Sequence, residues 1–130
     1  MLQVLGRKLC AMTAIAAMVF VAMIVLGYCD CLRNVGFFRH FILLSPSFIS
    51  AILGSYLLSG NIRWDLPFVI IGVLAGHYFY HYYDYHMRIV VPGMIVVISY
   101  ETVFLFLIFH SVISAVGYAL GRGLWVGSKT

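Results

Sequence analysis

Charge is what this sequence has least of: Lys, Arg, Asp and Glu supply 9% of its 130 residues, and only four of them are acidic. A water-soluble domain of this size carries roughly a quarter charged residues to keep its surface solvated. The deficit argues against water as the solvent of the folded chain. Cysteine is also scarce: three residues leave no framework of disulfides. Three prolines leave long stretches free to be helical. There is no nucleophile elbow, no Walker loop, no H-E-x-x-H helix and no paired carboxylates, so nothing points to an enzyme acting on its own. The eight basic residues stand singly or in one pair, and a net charge of +4 spread in this way is not the clustered patch that nucleic acid requires. No internal repeat or low-complexity linker divides the chain.

What the sequence does have is apolar length. Hydrophobic residues make up 64% of it, with a mean hydropathy of +1.06. Crossing ~30 Å of hydrocarbon takes roughly 20 apolar residues. Four runs approach or exceed that, over 9–28, 41–60, 66–83 and 94–120, within one domain covering 1–130. Lipid offers the backbone no hydrogen-bond partners, and the runs lack the alternation of barrel strands, so each must be helical. The expected fold is all-α: a polytopic transmembrane helical bundle with four spans, integral to the membrane and multi-pass. The first run resembles a signal peptide, but it is long for one, and Gly27-Tyr28-Cys29 is a poor cleavage site, so an uncleaved first helix is expected. Arg7, Lys8, Arg63, Arg122 and Lys129 would then lie on one side of the bilayer and Arg33, Arg39 and Arg88 on the other. That balance predicts both termini on the cytoplasmic or matrix-equivalent side.

The interruptions fit this frame. Pro46 removes a backbone donor within the second run, and the flanking Ser45 and Ser47 are placed to satisfy the carbonyl it frees. Gly60-Asn61 is expected to end the second helix, and Pro67 to sit in the first turn of the third. The fourth run, about 40 Å long at 1.5 Å per residue, must tilt or protrude. The stretch Tyr78-Phe79-Tyr80-His81-Tyr82-Tyr83 has the composition of an aromatic belt, and Trp64 and Trp125 suit interfacial anchors. Gly72 with Gly76, and Gly117 with Gly121, form G-x-x-x-G pairs, the spacing by which helices in lipid approach closely.

A few residues carry chemistry. His77, His81 and Asp84 share one helical face, a ligand set for a transition metal or a short proton relay, although aromatic belts also contain such residues. Cys29 and Cys31 form a C-x-C pair too tight for an unstrained disulfide, which leaves metal ligation, a bond to a partner, or inert thiols. With four spans, these cysteines and the His77 cluster gather near one membrane face. Glu101 falls inside an apolar run, where a carboxylate is costly and calls for a partner, a cavity or an ion path. His110 lies nine residues on, roughly 180° round the helix, and so cannot share a site with Glu101 on the same helix. It suits either a haem ligand or a neutral, hydrogen-bonded imidazole.

The stretch Gly72-Val73-Leu74-Ala75-Gly76-His77, followed by Tyr78, Tyr80 and Asp84 and preceded by Gly60-Asn61 and Asp65-Leu66, resembles the last membrane helix of derlins, rhomboid-like pseudoproteases. The resemblance ends there. The spacing from loop to helix departs from theirs, a further apolar helix follows where derlins carry a soluble tail, and the chain is too short for a six-helix rhomboid core. The function expected from the residues is a non-catalytic subunit or assembly partner of a larger membrane complex, in contact with lipid and with other membrane subunits or copies of itself. One alternative is a metal or redox site built on the His77 cluster with a transition metal as cofactor. A second is a small proton- or ion-conducting oligomer centred on Glu101.

Overall fold

The computed structural model describes residues 1–28, 38–58, 60–84 and 100–127. They form four α-helices: α1 (Leu2–Tyr28), α2 (Phe38–Leu57), α3 (Ile62–Asp84) and α4 (Tyr100–Gly127). Among the described residues there is no strand. Two segments, Leu2–Leu26 of α1 and Tyr100–Trp125 of α4, are long and apolar enough to cross a membrane. The apolar part of α2, Phe41–Leu57, is shorter. Arg63, Asp65 and Asp84 fall at the ends of α3.

Helix ends differ from expectation because charged and amphipathic residues continue the helices rather than interrupt them. The first helix begins at Leu2, not near residue 9, so Arg7 and Lys8 are helical. The third begins at Ile62. Asn61 caps it: its backbone carbonyl accepts from the Trp64 and Asp65 amides, and its side-chain oxygen accepts from the Arg63 amide at 3.0 Å. Pro67 is therefore a full turn deeper than expected. The fourth helix runs past Leu120 to Gly127 and carries Arg122 and Trp125 on its last turns, while residues 94–99 lie outside the described part. The Pro46 expectation has a specific answer. The carbonyl that Pro46 cannot bond belongs to Ile42, and the Ser45 hydroxyl donates to it at 2.6 Å.

The helices pack by glycine contacts that also give their directions. A Cβ on Gly72 would stand 2.8 Å from the Met12 carbonyl, and one on Gly76 2.6 Å from the Ala16 carbonyl. Partner numbers rise together, so α1 and α3 run parallel. One on Gly117 would stand 2.7 Å from the Phe48 carbonyl and one on Gly121 2.9 Å from that of Ile52, so α2 and α4 are parallel too. The two parallel pairs lie against each other head to tail. Ile15, Val19, Val69 and Val73 fill the centre without exposure, joined by Ala51 and Tyr118. The large apolar side chains left exposed, among them Val21, Phe104 and Leu124, coat the outside.

The bundle thus has two ends. One collects the start of α1, the end of α2, the start of α3 and the end of α4. There Lys8 Nζ stands 3.0 Å from Asp65 Oδ1, with Asp65 only 1% exposed. The Arg122 guanidinium donates to the Gly60 carbonyl at 3.1 Å, and the Tyr118 hydroxyl to the Leu58 carbonyl at 3.4 Å. We call this the lysine end. The other, towards the close of α3, is the histidine end.

Candidate functional site

Three helices meet at the histidine end around one serine. Ser47, with the Ile42 carbonyl already satisfied by Ser45, is fully buried on α2. Its hydroxyl oxygen lies 2.8 Å from His77 Nε2 on α3 and 2.6 Å from His110 Nδ1 on α4. The imidazole centroids are 4.0 Å apart. His77 is fully buried and His110 is 6% exposed. The Ser114 hydroxyl, one turn beyond His110, donates to the His110 carbonyl at 2.6 Å and so anchors that stretch of α4.

A serine hydroxyl holds one proton and a neutral imidazole one N–H, and this restricts the pattern. Either His77 donates from Nε2 to Ser47, which donates to His110 Nδ1, or the whole chain points the other way. In both cases His77 Nδ1 is left over, buried and without a hydrogen-bond partner. Such a leftover is uncommon in a folded interior and calls for a reason.

The reason adjoins it. A cavity of about 570 Å³ opens beside the two imidazoles, lined also by His81 and Asp84 from the last turns of α3, Phe106 from α4 and Leu43 from α2. His81 stacks over His77 with centroids 6.4 Å apart, and Phe106 presents its edge to both, at 5.5 and 5.6 Å. Six of the ten residues around this space carry aromatic or imidazole rings. A second cavity, of about 620 Å³ between α1 and α2, is lined almost wholly by alkyl groups, with Ser45 and Ser50 its hydroxyls.

The residues singled out from sequence separate as follows. His77, His81, Asp84 and His110 share the first cavity. Among the described residues, no three of His, Cys, Asp and Glu are gathered closely enough to hold a metal ion, and the nitrogens that His77 and His110 turn toward each other are both taken by Ser47. Cys29 and Cys31 lie outside the described residues. Glu101 sits in the first turn of α4, exposed, and lines neither cavity. Gly72, Gly76, Gly117 and Gly121 all face neighbouring helices of the same chain. Sequence reasoning missed the two features that define the ends, the Ser47 bridge and the Lys8–Asp65 pair.

No protein-family model matches the chain, and neither a curated protein nor a solved structure does. The derlin resemblance on α3 thus stays confined to the residues that carry it.

Proposed function

We propose that this chain is a four-span integral membrane protein that contributes a buried histidine proton relay to a larger membrane assembly. Four crossings are supported by the head-to-tail order of the helices and by their lengths, since α2 and α3 have 20 and 23 residues. At 1.5 Å per residue that is about 30 Å or more of helix, of which the apolar part of α2, Phe41–Leu57, supplies about 25 Å. An even number of crossings puts both termini on one side, and the positive-inside balance makes that side cytoplasmic or its equivalent. The lysine end then faces inward and the histidine end outward.

The observation that carries the relay is the Ser47 hydroxyl, held within hydrogen-bond distance of two buried imidazoles. The transfer is balanced. A proton arriving from the cavity binds His77 Nδ1, and His77 releases its Nε2 proton to Ser47. Ser47 passes its own proton to His110 Nδ1, and His110 gives up its Nε2 proton. The chain ends in its reversed hydrogen-bond pattern, and no group has to stay charged in a medium where charge is expensive. His81 and Asp84 sit where protons would be collected. An assembly partner is favoured over a lone conductor because the lysine end is closed by its own ion pair and hydrogen bonds. The proton's destination must then be a bound molecule or a neighbouring subunit.

Nitrogen-15 NMR of histidine-labelled protein in nanodiscs tests the relay. His77 and His110 should each report a mixture of tautomers in exchange, and Ser47→Ala should lock both. Single, fixed tautomers in the wild type would end the proposal. Sizing in mild detergent from the native membrane tests the assembly, and a stable lone monomer would remove that part.

The metal reading keeps a narrower place: any site would have to add ligands from beyond the described residues, such as Cys29 or Cys31, to the His81 and Asp84 rim. Metal analysis of the purified protein before and after His81→Ala decides it.

A further inference from the structure

Gly72 and Gly76 on α3, like Gly117 and Gly121 on α4, meet neighbouring helices of the same chain, yet α1 keeps an exposed face of similar character. Between residues 10 and 17 its exposed positions are Cys10, Thr13, Ala14 and Ala17, all small. The exposed face of α4 is instead set with Phe104, Phe109, Val112 and Val116. Cys10 with Ala14, and Thr13 with Ala17, repeat the four-residue spacing by which helices in lipid approach closely. Cys10, Thr13 and Ala14 lie in the half of the bundle away from the α1–α2 and α3–α4 connections. Towards the histidine end the small face runs into the groove between α1 and α2, with Ala17 and Val21 on one bank and Ile49 and Ser50 on the other. Ser50 gives this groove a polar requirement. Its side chain is 3% exposed, and among the described residues its hydroxyl has no hydrogen-bond partner. Ser45, Ser55 and Ser114 each bond back to a carbonyl of their own helix. Unlike His77 Nδ1, the Ser50 oxygen is not sealed from its surroundings, and it borders the groove. Lipid tails bring no donor or acceptor to that depth. A helix with small side chains does, because its carbonyls lie bare and each keeps a second lone pair.

We propose that α1 of a second copy of this chain docks on the Cys10–Ala17 face and continues into the groove over Ser50, forming a two-fold dimer. Small face and groove adjoin along one helix, so each copy can fill the groove of the other, the self-complementary arrangement that closes a pair. Two copies with the same orientation in the membrane also match in depth. Ile15 packs on Gly54, so Ser50, one turn nearer the histidine end, stands level with the turn that follows Ile15. The Ala17 carbonyl of the second copy lies at that height and accepts from the Ser50 hydroxyl. The proposal rests on the membrane reading above but not on the relay.

The test uses Cys10, which is exposed. With Cys29→Ser and Cys31→Ser it becomes the sole thiol, and copper phenanthroline in liposomes should join two chains through it. Cys10→Ala with Ala14→Cys should keep the link, and Cys10→Ala with Val112→Cys should abolish it. Energy transfer between chains labelled at the C-terminus, read against the lipid-to-protein ratio, measures the affinity. Ala14→Leu, at an exposed position, should weaken pairing roughly tenfold by overpacking the contact, without lowering the thermal midpoint. Ser50→Ala should weaken it about threefold, the size of one interhelical hydrogen bond in a membrane, and leave the midpoint unchanged because it breaks no bond within the chain. Three results would each overturn the proposal: linking through Val112→Cys as fast as through Cys10, pairing unchanged in Ala14→Leu, or pairing unchanged in Ser50→Ala. Pairing in liposomes with nothing larger than a dimer in the native-membrane extract would remove the larger assembly and leave this interface. Monomers in liposomes beside a large native complex would do the reverse.

Discussion

The two ends of this bundle differ in what surrounds their buried polar groups. At the lysine end, Lys8 meets Asp65, Arg122 meets the Gly60 carbonyl and Tyr118 meets that of Leu58, while Asp65 Oδ2 and Arg122 Nη1 stay buried without a hydrogen bond in close packing. Neither cavity reaches these residues. At the histidine end, Ser47, His77 and His110 bond one another, the buried His77 Nδ1 is left over, and both histidines border a cavity. Folding stability alone would close that gap with an apolar side chain. Keeping it open costs a buried polar atom its partner, a loss of about 1–3 kcal/mol. The difference separates a part of the molecule that holds the helices together from a part arranged for chemistry.

The largest effect should come from breaking the lysine end. Lys8→Ala leaves the Asp65 carboxylate buried without its cation, a change that costs about 3–5 kcal/mol when one partner of a buried pair is removed. Unfolding by SDS or heat in micelles measures it. Lys8→Met with Asp65→Leu should recover most of the loss, because removing both charges leaves none stranded. Failure of the double variant to recover would mean that the pair is not what makes this end firm.

Next in size is the seam that joins the ends. Gly76→Ala puts a Cβ 2.6 Å from the Ala16 carbonyl and 2.7 Å from Val19 Cβ, so α1 and α3 must part. Overpacking of this kind costs about 1–3 kcal/mol, set against a helix-propensity gain of up to about 1. Gly123→Ala, with nothing within 4 Å, has the gain without the clash and should be neutral or mildly stabilising. The same unfolding assay compares the two directly.

Ser47→Ala should destabilise by about 1 kcal/mol, less than Lys8→Ala, because the imidazoles it strands adjoin a cavity where water or ligand can replace the hydroxyl. A loss as large as that of Lys8→Ala would erase the contrast between the ends and make the serine bridge a structural strut.

How much of this could be read in the sequence follows from how local each signal is. The four helices were legible because apolar runs and their breaks are local. Their ends were not: Arg7, Lys8 and Arg122 carry long alkyl stems that continue a helix while the charge finds a partner at its tip. The face shared by His77, His81 and Asp84 was legible from spacing alone. That His110 belongs with it was not, since Ser47, His77 and His110 are brought together only when α2, α3 and α4 pack. One clue was available. His110, Ser114, Tyr118 and Arg122 recur every fourth residue, a polar row along an otherwise apolar helix that marks its inward face. Lys8 and Asp65 escaped notice because each falls one residue outside an apolar run and was assigned to a connection.

The smallest expected effect makes the sharpest test of what holds the lysine end. Tyr118 is fully buried, and its hydroxyl reaches the Leu58 carbonyl at 3.4 Å, a long bond to a group just past the last residue of α2. Tyr118→Phe keeps the ring in place and removes only the oxygen. The Leu58 carbonyl loses a weak donor, so the change should be about 0.5 kcal/mol, the low end for an intramolecular hydrogen bond. The ring is the larger contribution: Tyr118→Ala would open a cavity worth about 3–5 kcal/mol. Equal losses in Tyr118→Phe and Lys8→Ala would transfer the anchoring of this end from the ion pair to the hydroxyl. A loss near zero in Tyr118→Phe beside a large one in Lys8→Ala locates it in the charge shared between α1 and α3.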